Sequence, residues 1–333
     1  MCNVKHLVSP RWFCGLAVGL ALVGAQVFAQ AEKAKTLQVL FIGNSYTARH
    51  NLAKVVKAMA EEGNPGLRFA ITSVIYGGRR LVDHWRLGTA NYVRLSELTM
   101  DEENATIAAL TEMLKKDPKD KYAKTALNRH RRLARSLGQQ PHPKWDIVVL
   151  QSYRDDAKGD ASLYVEYAPK FAELIKAQGA RVVLYETTPR TQNAKPLTSA
   201  PKAEPILAKA RIIAKLAKSI DASVVPMSLV AHRCQTERPD LTLRFINDAH
   251  LNQTMAYLTA CTFYATLFER SPEGLALDAV TDIRFLAKDK RDKDRDGEPI
   301  KRVFSGKDRA DLQRIAWEGF KQFEALRENM SIK

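Results

Sequence analysis

Five short apolar segments, separated by helical stretches, constrain this sequence more than any other feature. They are rich in Val, Ile and Leu and do not alternate strongly with polar residues, and they comprise Leu37–Ile42, Phe69–Ile75, Asp146–Leu150, Arg181–Tyr185 and Ser223–Pro226. Continuous apolar strands of this kind suit parallel sheets that are covered on both faces. Strands that alternate with helices predict right-handed crossovers and a three-layer α/β/α sandwich around a central parallel five-stranded sheet.

Helical patterns fill the intervals between these strands. Apolar residues recur at helical spacing from residue 52 to residue 59, and residues 161–177 and 203–218 have helical composition. The segment at about 90–142 is long, polar and basic, and it predicts a helical insertion between the second and third strands. An apolar stripe at about 308–328 predicts a C-terminal helix.

The N-terminus has the pattern of a secretory signal peptide. Basic residues precede an apolar run that ends in small residues, which predicts a signal over residues 1–29 with cleavage after Ala29 or Ala31. An uncleaved anchor is the alternative, because the run is at the short limit for a bilayer span. Cleavage would give a secreted or periplasmic protein with no stable membrane anchor. Without repeats or linkers, residues 30–333 predict a single domain.

The charge is strongly positive but dispersed. A formal net charge of +15 can attract nucleic acid, acidic glycans or anionic surfaces. The sequence has no aromatic-interleaved basic groove and no helix-turn-helix or zinc-finger spacing, so we expect no nucleic-acid partner. A solvated basic face is the simpler interpretation, and an acidic polysaccharide partner stays open. The oligomeric state cannot be predicted from these features.

Cysteines and short motifs give weaker signals. Cys234 and Cys261 can pair in an oxidising compartment, but the apolar setting of Cys261 favours an ordinary core residue. Asp292–Gly297 resembles the start of a calcium loop, yet the twelfth position is Val303 instead of a bidentate Glu. The sequence has no metalloprotease motif, phosphate loop or dinucleotide fingerprint. We therefore expect neither a metal nor a cofactor.

A serine and a histidine stand where open α/β sheets bind ligands. Ser45 follows the first strand and precedes a helix, whose N-terminal N–H groups favour a negatively charged intermediate. A hydroxyl nucleophile needs a base, and His250 follows the last strand region with Asp248 two residues before it. The competing interpretation is structural: Gly-Asn-Ser is common in turns, and Asp and Asn cap helices.

Four blocks resemble the SGNH (GDSL-like) hydrolase family, in a bacterial secreted subgroup. In chain order, they are Phe41–Thr47, Ile75–Leu81, Trp145–Ser152 and Asp248–His250 with the helix that follows. The resemblance implies the flavodoxin-like fold of that family. It also implies Ser45 as the nucleophile, His250 as the general base, and backbone N–H groups of Ser45 and Gly78 in the oxyanion hole.

Two blocks depart from the family pattern. The Asp three residues before the His is Asn247 here, so either Asp248 orients His250 or the chain uses a Ser–His dyad; an inactive descendant is a further alternative. The third-block Asn is absent, and Gln151 is our candidate donor to the oxyanion. Its alternative role is a buried amide that caps loop backbone, while Asp155, in another register, cannot donate when ionised.

The predicted activity is that of a secreted serine esterase that hydrolyses carboxylic esters through an acyl-enzyme. We expect a small-molecule or polysaccharide ester as substrate, with acetyl groups on carbohydrate as the first choice by family analogy. A lipase or thioesterase is the alternative within enzymes, and a catalytically impaired glycan-binding protein is the alternative outside them. His84 and Trp85 either line the pocket or belong to the core.

Overall fold

A parallel sheet of five strands organises the part of the chain that the structure describes. In this computed structural model those residues are 35–139, 141–151, 162–187, 192–283 and 291–330. The strands are β1 (Lys35–Gly43), β2 (Leu67–Ile75), β3 (Ile147–Gln151), β4 (Arg181–Tyr185) and β5 (Ser223–Val225). Their order is β2-β1-β3-β4-β5, every pair is parallel, and this is the flavodoxin-like order. The predicted fold class is therefore confirmed. The predicted signal peptide at residues 1–29 lies outside the described residues.

Helices cover both faces of the sheet. They are α1 (Ser45–Ala48), α2 (Leu52–Gly63), α3 (Leu81–Arg86), α4 (Thr89–Val93), α5 (Met100–Lys116), α6 (Lys121–Ser136), α7 (Leu163–Ala177), α8 (Glu204–Ser219), α9 (Met227–Glu237), α10 (Gln253–Phe268) and α11 (Gly306–Asn329). The segment predicted as a helical insertion holds α4, α5 and α6, and the predicted C-terminal helix corresponds to α11. Of the described helices, none is long and apolar enough to cross a membrane.

Alternate side chains of the strands feed two separate cores. Val39 and Phe41 of β1 pack into the core under α2, α9, α10 and α11, whereas Leu40 and Ile42 pack into the core under α3 to α8. All four side chains are fully buried. Because both faces of the strand are buried against helices, the side chains on both faces are apolar. The sequence therefore shows a continuous apolar run instead of an alternation of apolar and polar residues.

Helix α10 is buried on all sides and contains one of the two cysteines that lie in the described part of the chain. Cys261 lies in α10 and Cys234 in α9, and both are free, buried thiols. Burial raises the pKa of Cys234 to about 12, so this thiol stays protonated. The two cysteines act as core residues, and no disulfide joins them.

A small antiparallel sheet lies outside the main one. Strand β6 (Ala279–Thr281) pairs with β7 (Lys301–Val303), and the described part of the connection ends in a tight turn before β7. The charged stretch from residue 288 to residue 302 therefore contains strand as well as loop structure. Its residues 288–290 lie outside the described residues, and β7 begins at Lys301.

Candidate active site

The turn after β1 presents Ser45 at the carboxyl edge of the sheet. Asn44 caps α1, since its Oδ1 accepts the N–H of Tyr46 at 3.0 Å, and Ser45 is the first helical residue. Gly43 is required by space: a Cβ there would lie 2.6 Å from the side-chain oxygens of Gln151 and Thr47. Gly-Asn-Ser is thus a close-packed strand-to-helix junction that leaves the Ser45 side chain partly exposed.

Three side chains form a hydrogen-bonded chain at this edge. Ser45 Oγ lies 2.8 Å from Nε2 of His250, and Nδ1 of His250 contacts Oδ1 of Asp248. The backbone N–H of His250 also donates to Asp248 Oδ1 at 3.2 Å. An imidazole that faces a carboxylate through Nδ1 carries its proton there, which leaves Nε2 free to accept the serine proton.

The structure places Asp248, not Asn247, against the imidazole. Asn247 is exposed, and its side chain has no hydrogen-bond partner among the described residues. Asn252 caps α10, since its Oδ1 accepts the N–H of Met255 at 3.1 Å. Asp248 is therefore not needed as a helix cap, and its spacing of two residues from His250 suffices for contact.

Two arginines hold the far side of the Asp248 carboxylate. Arg49 Nη2 lies 2.9 Å and Arg295 Nη1 lies 3.0 Å from Asp248 Oδ2. Burial alone would raise the pKa of Asp248, but the hydrogen bond and charge of His250, together with the charge of Arg49, lower it below the ordinary value. The carboxylate is therefore ionised at neutral pH, with one oxygen for the histidine and one for the arginines.

The loop that carries His250 is tied to the turn before β7. Asp296 accepts the backbone N–H groups of Ile246 at 2.8 Å and Asn247 at 3.0 Å. At the other end of the loop, the N–H of Phe245 donates to the carbonyl of His250 at 3.3 Å. The sequence did not predict the roles of Arg49, Arg295 and Asp296. These residues are far from the His250 loop in sequence, about 200 residues for Arg49 and about 50 for Arg295 and Asp296, and no local pattern marks them as its partners.

Backbone donors for an oxyanion are present where the family resemblance implies them. Gly78 has a φ of 66°, a left-handed conformation that glycine adopts without strain. Among the described residues, the backbone N–H groups of Ser45 and Gly78 have no acceptor. The N–H of Tyr76 donates to the carbonyl of Gly43 at 3.0 Å, which ties the Gly78 loop to the nucleophile turn. Within the described residues, both N–H groups are therefore available to donate to an oxyanion.

Gln151 caps the nucleophile turn from the end of β3. Its buried Oε1 accepts the N–H of Asn44 at 2.8 Å and the hydroxyl of Thr47 at 3.2 Å. This is the loop-capping arrangement that we gave as its alternative role. A donor role for the amide nitrogen stays a prediction, and Asp155 lies outside the described residues.

His84 and Trp85 belong to the core behind the nucleophile turn. His84 is fully buried, with Nε2 3.0 Å from the carbonyl of Gly43 and Nδ1 3.1 Å from Oγ1 of Thr89. Burial lowers the pKa of His84 to about 4, so the ring is neutral and Nε2–H donates to the carbonyl. Trp85 packs edge-on against Phe171. His84 thus supports the strand end from within the core, and Trp85, which is partly exposed, packs against that core.

In the motif that resembles a calcium loop, carboxylates accept hydrogen bonds from backbone N–H groups. Asp294 Oδ1 accepts the N–H groups of Asp296 at 2.9 Å and Glu298 at 3.0 Å, so the turn closes on itself. Asp296 accepts N–H groups of the His250 loop, as described above. Across residues 35–330, apart from the undescribed gaps, no group of three or more His, Cys, Asp or Glu side chains is arranged to hold a metal ion.

Comparisons with known proteins give structural likenesses only. No family model matches the sequence, and no curated protein matches it. One solved structure, described as "a putative SGNH hydrolase from Slackia heliotrinireducens", has a TM-score of 0.41 and 17% identity and covers 70% of this chain and 100% of its own. A gut microbial diltiazem-metabolizing enzyme has a TM-score of 0.33 and 12% identity and covers 71% of this chain and 47% of its own. The chemistry proposed for this chain therefore rests on its own residues.

Proposed function

We propose that this protein is a serine ester hydrolase of the SGNH type, with Ser45 as the nucleophile. The observation that carries the proposal is the chain from Ser45 Oγ through His250 to Asp248, at the carboxyl edge of a parallel sheet. A nucleophile, a base and a group that orients the base are the three parts that acyl transfer needs.

The geometry supports a two-step reaction. Ser45 Oγ attacks the ester carbonyl while His250 Nε2 takes its proton, and the ionised Asp248 stabilises the resulting imidazolium. The N–H groups of Ser45 and Gly78 bind the oxyanion. The intermediate collapses when His250 protonates the departing alcohol, which leaves an acyl-serine. Water then attacks the acyl carbon, His250 takes its proton and returns it to Ser45 Oγ, and the free acid leaves.

Ester bonds on carbohydrate are the substrate class that we propose, with export through the predicted signal peptide. The acyl group is an acetyl group or a similar short chain. Lipid esters and thioesters remain the alternative substrates for the same machinery. We favour catalysis over glycan binding alone, because binding does not require an ionised Asp248 in contact with His250.

Turnover of p-nitrophenyl acetate tests the proposal. The purified chain without residues 1–29 should release p-nitrophenol, and Ser45→Ala should abolish the release because no other group replaces the nucleophile. Ser228→Ala is a matched control, since the Ser228 hydroxyl is buried and donates to Glu186 at 2.8 Å. Turnover that survives Ser45→Ala would remove Ser45 from the mechanism, and no turnover by the unaltered chain would refute the esterase proposal.

A further inference from the structure

Arg79 follows directly on Gly78, the glycine that we propose as an oxyanion donor. Its carbonyl accepts Nδ2–H of Asn44 at 2.9 Å, and Asn44 is the residue before Ser45. The backbone of Arg79 is therefore fixed to the nucleophile turn, and its side chain is partly exposed at that edge of the sheet. Arg79 is thus tied by its backbone to the residue before Ser45 and is adjacent in sequence to Gly78.

The start of helix α6 holds this guanidinium in place. Arg79 Cζ lies 4.3 Å from the centre of the Tyr122 ring, and the Tyr122 hydroxyl donates to the carbonyl of Gly77 at 2.9 Å. Lys121 Nζ lies 5.2 Å from the centre of the same ring. Tyr122 of the polar, basic insertion thus packs on the loop that contains Gly78. The side chains of Arg79 and Lys121 both lie against its ring. Stacking on an aromatic face orients a guanidinium without neutralising it.

Arg79 has no acidic partner in the part of the chain that the structure describes. Within the described residues no carboxylate lies within 4.0 Å of Arg79 or of Arg129, although Arg49, Arg86 and Arg295 each have such a partner. The Nε atom of Arg79 is buried and has no hydrogen-bond acceptor in the described part of the chain. A buried donor left without an acceptor costs free energy. Because Nε is buried, a ligand can reach Arg79 only through the other, partly exposed atoms of its side chain.

The two described carboxylates nearest in sequence to Arg79 and Tyr122, those of Asp83 and Asp120, have other partners. Asp83 accepts the N–H of Arg80 at 2.9 Å and caps α3. Asp120 caps α6 through the N–H groups of Tyr122 and Ala123 and binds Arg86 at 3.0 Å. The acidic side chains nearest in sequence to Arg79 and Tyr122 therefore serve helix ends and other arginines.

Arg129 is a second cation at this end of β2 that has no acidic partner among the described residues. Its Cζ lies 5.4 Å from the centre of the Tyr76 ring, and its Nη2 is 3.5 Å from the carbonyl of Ile75, at the end of β2. Cations that share one edge of a site raise the local concentration of anionic ligands and strengthen their binding.

We propose that the substrate is an ester on an acidic carbohydrate, and that Arg79 binds a carboxylate on the sugar chain beside the reacting ester. This inference rests on the proposed function and narrows it to one substrate class. A guanidinium offers paired N–H donors that match a carboxylate, and its stacking on Tyr122 restricts its orientation. The basic insertion then serves substrate choice, with Arg129 and Lys121 as a supporting field.

Two matched esters test the inference. O-acetylated oligouronate and O-acetylated xylo-oligosaccharide of equal length are hydrolysed by the unaltered chain, by Arg79→Gln and by Arg270→Gln. Arg270 is an exposed arginine at the far end of α10, where it donates to Asn64 at 3.2 Å, so its variant removes one charge away from the site. We expect kcat/KM to favour the oligouronate, and Arg79→Gln to lower that preference at least about tenfold, about 1.4 kcal/mol. Arg270→Gln should retain the preference.

Equal kcat/KM for the two esters, or a preference that survives Arg79→Gln, would overturn the inference while leaving the esterase proposal intact. A separate binding measurement covers the opposite case. Isothermal titration of Ser45→Ala with de-acetylated oligouronate should show binding that Ser45→Ala/Arg79→Gln loses. If neither ester is hydrolysed, the esterase proposal fails, and this titration alone supports or refutes the carboxylate site.

Discussion

Replacing Asp248 by Asn tests how the histidine is activated. The change keeps the shape of the side chain but removes its charge and gives it an N–H₂ group. In the native site Asp248 Oδ1 contacts His250 Nδ1, and Oδ2 lies 2.9 Å from Arg49 and 3.0 Å from Arg295. With two guanidinium groups on the far side, the amide oxygen of Asn turns towards them and the N–H₂ group faces Nδ1.

That orientation reverses the histidine tautomer. Nδ1 must then accept a hydrogen bond, so the proton moves to Nε2, which can no longer take the proton of Ser45. The same substitution costs about 10⁴ in kcat in a serine protease, equivalent to about 5.4 kcal/mol in the activation free energy. Here Arg49 Nη2 lies 3.4 Å from His250 Nδ1, so loss of the intervening negative charge further disfavours the imidazolium. We expect a loss of about 10³ to 10⁴ in kcat.

The assay is steady-state hydrolysis of p-nitrophenyl acetate, with circular dichroism as a check that the fold is intact. Asn247→Ala is the matched control one residue away, because the Asn247 side chain is exposed and does not contact His250. It should stay within about threefold of the unaltered chain, an expected surface effect. An Asp248→Asn variant that keeps nearly full kcat, or an Asn247→Ala variant that loses it, would refute this account of the site.

Two further predictions concern the loop and the core. Asp296→Ala removes the acceptor of two backbone N–H groups of the His250 loop, and we expect kcat to fall about tenfold, with about 1–3 kcal/mol lost in the free energy of unfolding; unchanged kcat would show that the loop holds itself. Burial lowers the pKa of His50 and His84 from 6.5 to about 4. Between these pH values the unfolded chain binds protons that the folded chain does not. The free energy of unfolding should therefore fall as the pH decreases from 6.5 to 4, by up to about 1.4 kcal/mol per pH unit for each histidine. Urea unfolding at pH 7.5, 6 and 5 measures this slope, and a flat profile would contradict the buried neutral histidines.

The sheet was predictable because its signal is local. Each strand is a short apolar run bounded by polar residues or turns, and a parallel strand buried on both faces has that composition whatever its neighbours are. Predicted and observed bounds differ at β1, which begins at Lys35 rather than Leu37. The first two residues of β1 are exposed, so they carry no burial pattern and only their pairing with β2 makes them strand.

The contacts that shape the site were not predictable in the same way. Ser45, Asp248 and His250 could be named from their order and positions, but the arginines on Asp248 arrive from residues 49 and 295. A charged segment such as residues 291–298 looks the same in sequence whether it is solvated, binds calcium or braces another loop. Gln151 shows the limit for a single side chain, since an amide offers a donor and an acceptor and the tertiary structure decides which end faces the turn.

Covalent labelling with a fluorophosphonate, followed by peptide mass spectrometry, tests the central claim most directly. Such a probe phosphonylates a serine only when a base activates it. We predict one adduct, on the peptide that contains Ser45, with no adduct in Ser45→Ala and much slower labelling in His250→Ala. An unlabelled chain, or an adduct on another serine, would contradict the assignment of Ser45 as the nucleophile.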